Sequence, residues 1–211
     1  MSATQTYFDQ VSKSYADVPF EQGVDVPSFI EATENLIKMF DVVGSAAFTP
    51  MKVEMQEGVD KLNEIYSSNP ANNTLEKLVQ SEANYYYGKE ATESLLWLVR
   101  DLRFIFESLK QNQEKPNEEI AESFSEAYNR TLVKHHNMII AQMFQIAITT
   151  FPVRADFYGK LGQDQARVSQ EIKRLLLSFE KNHPRHRDLL YQGQLRLDLS
   201  GPLPPLYTMW S

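Results

Sequence analysis

One stretch limits the architecture more than any other. In "TESLLWLVRDLRFIFESLKQ", residues 92–111, apolar side chains occupy most of the circumference of a helix. Projected at about 100° per residue, Leu95, Leu98, Val99, Leu102, Ile105, Phe106 and Leu109 share one broad face. Trp97, Arg100, Asp101 and Phe104 fall on the other. A helix that is apolar nearly all round must be covered on several sides, so this segment is expected at the centre of the fold. Its second face reads either as a partly buried ion pair beside aromatics or as a flat indole platform with charges at its rim.

The rest of the chain is compatible with helices wrapped around that centre. Phe29, Ile30, Leu36, Ile37, Phe40 and Val43 recur at helical spacing, and Gly44 supplies a stop. A second helix is expected from Pro50 to about Tyr66, with Thr49 as its N-cap, before the turn "SSNPANN". "TLEKLVQSEANYYYG" predicts a third. After the central helix comes a long helical stretch, 118–151, broken near Thr131 and stopped by Pro152. "RADFYGKLGQDQARVSQEIKRLLLSF" predicts one short and one longer helix. No segment alternates as a strand does, so the class is all-α. Residues 1–25 read as a polar, loosely held arm, 26–180 as the domain, and 181–211 as a divergent tail. The tail is rich in proline and has no sustained period. It reads either as short segments packing on the domain or as intron-derived sequence.

Composition removes several functions. A formal charge of −7 argues against a nucleic-acid partner, which needs a basic face. Without cysteine there are no disulfides and no thiolate zinc sites. His135 and His136 lack further ligands at metal-binding spacing, and no metal or cofactor is expected. No nucleophile, general-base set or phosphate loop is present, so no enzymatic activity is expected. The N-terminus has no signal-peptide core, which points to a cytoplasmic location.

The segment "FTPMKVEMQEGVDKL", residues 48–62, leaves two readings open. Met51, Met55, Val59, Leu62 and Tyr66 form an apolar stripe, with Glu54, Gly58 and Lys61 along its edge. These three are either a ligand-reading face or ordinary surface, with Glu57 and Lys61 as an i,i+4 pair.

Several separated motifs together resemble the glycolipid transfer protein family, most closely its fungal members. They are "FDVVGSAAFTPMK", "LLWLVRDLRFI", "AYNRTLVKHHNMII" and "RADFYGKLGQDQA". The resemblance implies a two-layer sandwich of about eight helices, the last of them uncertain here. It implies non-enzymatic binding of a sphingolipid, simple glycosylceramides above all, and its transfer between membranes through transient surface contact. By that match, Phe40, Phe48, Phe104, Leu132, Phe144, Ile148, Phe157 and Leu161 are expected to line the lipid-chain tunnel; each reads equally as plain core. Trp97 matches the residue that stacks on the first sugar. His136 matches the histidine that holds the ceramide amide carbonyl, Lys61 a basic residue that donates to the sugar, and Arg100 an arginine near the pocket. Met138 stands at a membrane-docking position.

Two positions depart from the family pattern. Glu54 replaces an aspartate, and Gly58 replaces an asparagine. The expectation is weakened or altered headgroup recognition, with Gly58 opening space for another headgroup or water. Restoring both, Glu54→Asp with Gly58→Asn, should then strengthen glycolipid transfer. The alternatives are ceramide-1-phosphate transfer, with Lys61 and Arg100 as charge partners, and a lipid-sensing or scaffold protein without transfer activity.

Overall fold

The computed structural model describes residues 5–84 and 88–179; the tail, 181–211, lies outside the described residues. The described residues form a two-layer all-helical sandwich. Helices α1 (Val26–Val43), α2 (Thr49–Ser68), α3 (Leu75–Ser81), α4 (Glu90–Glu114), α5 (Ile120–Thr131), α6 (Met138–Thr149) and α7 (Arg154–Leu161) follow in order. An eighth, α8, covers 165–179.

Local chemistry sets most of the boundaries. The Asp25 side chain accepts from the Ser28 amide at 3.0 Å and caps α1, with Pro27 in the first turn. Gly44 closes it at φ +72°, a left-handed conformation that only glycine adopts without cost. Thr49 is not the cap of α2. A 3₁₀ turn, Ala46–Phe48, capped by Ser45, runs straight into the helix, so Thr49 is already helical. The long helical stretch breaks where expected: α5 ends at Thr131, a 3₁₀ turn covers Val133–His135, and Asn137 caps α6. That break carries His136 out of helical geometry, at φ −93° and ψ 143°.

Helix α4 is the centre. At about 1.5 Å per residue its 25 residues span roughly 37 Å. It lies between α2 and α5. Both of its faces are covered: Trp97, Asp101 and Phe104 are as buried as Leu98 and Leu102.

Residues 5–25 are not a loose arm. Tyr15 is 2% exposed, edge-on to Phe29 and Phe106 at 6.0 and 5.7 Å, with its hydroxyl on Thr33 at 2.7 Å. The Tyr7 hydroxyl donates to the Asn35 carbonyl. Two aromatic anchors tie down a segment whose remaining residues are mostly polar. At the other end of the domain, Phe179 on α8 stacks on Phe106, with ring centroids 3.9 Å apart.

Candidate functional site

Helices α2 and α4 run antiparallel in close contact. Lys61 reaches Glu90 at 3.3 Å, and Gly58 lies against Leu98. One turn further along α2, Glu54 lies close enough to Asp101 on α4 for the two charges to act on each other. A Cβ built on Gly58 would stand 2.8 Å from Leu98 Cγ. Gly58 therefore does not open space for a headgroup or water, as expected from the sequence; Leu98 fills that space, and the glycine is what lets the two helices approach. The double substitution Glu54→Asp with Gly58→Asn is accordingly no restoration, because an asparagine has no room.

The turn between α5 and α6 closes the region from the other side. His136 stacks on Trp97, with centroids 5.8 Å apart and planes 23° apart. Its Nδ1 is 3.0 Å from the Tyr128 hydroxyl. A buried hydroxyl that only accepted there would leave its own proton in the core, so Tyr128 donates to Nδ1. The neutral imidazole then carries its proton on Nε2. That nitrogen points toward Glu54 Oε1 at 3.9 Å, too far for a hydrogen bond. The Arg100 guanidinium lies over the Trp97 ring, 4.9 Å from its centroid.

The site differs from an open platform. Trp97 is 4% exposed and Glu54 3%, and the His136 side chain is equally enclosed. Glu54 Oε2, both carboxyl oxygens of Asp101 and His136 Nε2 are buried without a hydrogen-bond partner among the described residues. Each such atom costs about 1–3 kcal/mol, so their convergence calls for an explanation.

Burial controls the charge states. It pushes the Glu54 carboxyl up to about 7; the negative Glu57 adds to the rise and Arg100 opposes it. It pushes Asp101 well above the carboxylate range, with Glu54 adding and Arg100 opposing. His136 is lowered to about 4 by burial and by Arg100, and so is neutral at physiological pH. Glu54 and His136 are therefore not an ion pair. Together these groups offer one N–H donor and two carboxyls that can each accept or, when protonated, donate. Among the described residues, no three His, Asp or Glu side chains come close enough to hold a metal ion.

The remaining expected residues fall into three places. Lys61 sits at the rim, bound to Glu64 at 3.0 Å and to Glu90, not to Glu57 and not beside Glu54. Phe40, Phe48, Phe104, Leu132, Phe157 and Leu161 are at most 1% exposed and line the interior, with Phe144 and Ile148 nearly so. Their rings touch: Phe48 meets Phe40 at 4.8 Å and Phe151 at 4.2 Å. Phe144 joins this interior to the polar cluster, 4.8 Å from His136 and 5.5 Å from Tyr128. Met138 is 74% exposed on α6.

Sequence reasoning missed several residues. Tyr128 stands eight positions before His136 and gave no signal of contact with it. Asp101 was visible beside Trp97 but read as half of an ion pair with Arg100; neighbours in a helix do not face each other. Ile139, Met143 and Ile146 are exposed on α6, beyond its buried stripe of Ile140, Phe144 and Ile148. Nine apolar residues on a helix with three buried positions was the available clue.

Comparison with known proteins follows the same lines. The profile of the family described as "Glycolipid transfer protein (GLTP)" matches residues 24–163. A glycolipid transfer protein of Aureobasidium melanogenum is 42% identical over 83% of this chain and 88% of its own length. The crystal structure of HET-C2, a fungal glycolipid transfer protein, superposes with a TM-score of 0.77 at 35% identity, covering 83% of this chain and 92% of that one. Mouse ceramide-1-phosphate transfer protein shares the fold alone, with a TM-score of 0.76 at 18% identity, over 94% of this chain and all of its own.

Proposed function

Because the chain belongs to the glycolipid transfer protein family, we propose that it binds glycosphingolipids and carries them between membranes without catalysis. The observation that carries this reading at the level of residues is the set of unpartnered polar atoms around Trp97 and His136, placed where an apolar interior begins. A ceramide has the matching chemistry. Its amide and headgroup hydroxyls would satisfy the orphaned atoms, and its chains would enter beside Phe144. His136 Nε2–H is placed to donate to the amide carbonyl, and Glu54 to accept from the amide N–H or a hydroxyl. Trp97 supplies an indole face once His136 or Arg100 yields to a sugar. Lys61 can reach a hydroxyl at the rim by exchanging Glu64 or Glu90.

Chain burial supplies the affinity, at roughly 0.8 kcal/mol per CH₂. The interior rings are in mutual contact, so the chains enter by displacing Phe40, Phe48 and their neighbours. Membrane contact is assigned to the exposed face of α6, where Met138 and Ile139 and, further along, Ile146 present apolar surface. Among the described residues no single helix is long and apolar enough to cross a membrane. The proposal includes a cytoplasmic location.

The test is extraction and vesicle-to-vesicle transfer of glucosylceramide by the purified protein. Saturable transfer is expected. A protein that folds yet extracts neither glucosylceramide nor ceramide-1-phosphate would overturn the reading. Trp97 offers a direct probe: after Trp210→Phe, its fluorescence should change when glucosylceramide is added.

A further inference from the structure

Asp101 has no role in the site as expected from the sequence. It is nevertheless the most completely enclosed charged side chain there: 1% exposed, with both carboxyl oxygens lacking a hydrogen-bond partner among the described residues. It stands one helical turn after Trp97 on α4, close enough to Glu54 on α2 for the two charges to act on each other. A structural carboxyl so deeply buried is ordinarily held by donors, and this one is not. The glycine at 58 brings the two helices close enough to set these two acids against each other.

We propose that Asp101 is a second carboxyl of the headgroup site, which together with Glu54 reads the hydroxyl or amide N–H of an uncharged headgroup and turns away an anionic phosphate. The inference rests on the lipid-binding reading above and adds its specificity.

The chemistry follows from like charges in a small, dry space. Two facing carboxyls cannot both ionise there, so the pair keeps at least one proton. One protonated and one ionised carboxyl, with no hydrogen bond between them, offer a donor and acceptors to a single group, the pattern that a hydroxyl or an amide completes. A phosphate monoester brings one to two further negative charges. To enter, it would need both carboxyls fully protonated, and it would meet acceptors where it needs donors. The cations near the site do not reverse this. Lys61 is engaged with Glu64 and Glu90, and Arg100 lies over Trp97 with both acids within its influence. A headgroup site without Asp101 would have an acid on α2 only; here α4 contributes one too.

The experiment compares extraction of glucosylceramide and ceramide-1-phosphate of the same acyl chain from neutral vesicles at pH 7.4. The wild-type chain and the variant Asp101→Asn are used, with thermal melts of both. The wild type should favour glucosylceramide. Asp101→Asn keeps the shape, cannot ionise and adds donors. It should lower the glucosylceramide to ceramide-1-phosphate ratio at least tenfold, through weaker glucosylceramide binding and stronger phosphate binding. Asp101→Ser, smaller and uncharged, should shift the ratio the same way if the asparagine variant does not fold. A merely structural role would change the melting temperature and leave the ratio alone. A wild type that prefers ceramide-1-phosphate, or a folded variant with an unchanged ratio, overturns the proposal while leaving lipid binding intact. A wild type that takes up neither lipid overturns the lipid-binding reading itself.

Discussion

Helix α4 carries two buried polar clusters, about three turns apart, and they are built on opposite principles. Around Asn112, nearly every polar atom has a partner. The Asn112 amide donates to the Glu118 carbonyl at 3.1 Å and to Ser123 Oγ at 2.8 Å. Its side-chain carbonyl accepts from the Tyr158 hydroxyl at 2.8 Å and from Arg154. Arg154 also donates to the Asn112 backbone carbonyl at 2.7 Å, and Gln113 donates to the Tyr158 hydroxyl at 3.0 Å. One acceptor, Gln111 Oε1, is left over. Around Asp101 the accounting fails by four atoms. Burial of polar groups alone thus says little about function, because a satisfied network fastens α4 to α5 and α7. Dissatisfaction is the informative property, because a folded chain retains it only where something else completes it.

The contrast predicts opposite responses to mutation, and the largest effect belongs to the satisfied cluster. Asn112→Ala should destabilise the protein by about 2–4 kcal/mol, since it removes an acceptor from Tyr158 and Arg154 and a donor from Ser123 and the Glu118 carbonyl at once. Lipid selectivity per folded molecule should not move. A melt and the two-lipid extraction assay would check both halves; a selectivity change without loss of stability would erase the distinction between the clusters.

The unsatisfied cluster should respond to pH instead. Glu54 and Asp101 have raised pKa values, so the unfolded chain releases their protons first and stability falls as pH rises above the ordinary carboxylate range. The Glu54 contribution, on the order of 3 kcal/mol, is complete once pH passes about 7. Asp101 adds a loss of the same sign. The lowered His136 works the other way: it removes stability as pH falls from about 6.5 toward 4, and His135 does the same. The two trends oppose each other below about pH 6.5, and only the carboxyl loss remains above it. Glu57 and Arg100 are the other charges acting on the carboxyl pair, and Tyr128 keeps its proton throughout this range. Apo Asp101→Asn should therefore gain stability over the wild type as pH rises from 4 to 9, by about 1–3 kcal/mol at the upper end. A constant difference across that range would mean that Asp101 is not a buried acid in solution.

Gly58 tests the spacing that brings the acids together. Gly58→Asn gains only about 0.3 kcal/mol of helix propensity, because asparagine is itself a weak helix former. It also forces a side chain into Leu98, which is itself 1% exposed and cannot yield. Overpacking of this kind costs about 1–3 kcal/mol. A lower melting temperature together with weaker glucosylceramide extraction is expected. Stronger transfer would restore the idea that the glycine marks a missing ligand contact.

The residues themselves explain what was legible beforehand. The order of helices, the break near Thr131 and the central position of α4 follow from periodicity and punctuation, which act locally. The grouping of Glu54, Trp97 and His136 came through resemblance, and the structure brings these three together. Periodicity could not reveal what covers the second face of α4, because the cover on Trp97, His136, comes from a turn 39 residues later. Gly58 showed only a missing side chain; its reason lies in Leu98, forty residues away. Tyr7, next to Phe8, and Tyr15 stand in otherwise mostly polar surroundings, and no local pattern distinguishes an anchor from an exposed ring.

The smallest expected effect concerns the tautomer of His136. Tyr128→Phe removes one hydrogen bond and little volume, at a cost of about 0.5–1.5 kcal/mol. It also leaves Nδ1 without the donor that keeps the imidazole proton on Nε2. The freed ring can then place its proton on either nitrogen, and the form that presents a bare Nε2 lone pair to a ligand carbonyl is repulsive. If Tyr128 positions His136 in this way, glucosylceramide affinity should fall severalfold in the variant. The imidazole nitrogen resonances of the apo protein should meanwhile shift from one tautomer toward a mixture. Unchanged resonances with unchanged affinity would mean that the hydroxyl accepts from Nδ1–H after all. His136 would then meet Glu54 and the ligand with a lone pair, and the orphaned atoms of the site would all be acceptors or acids.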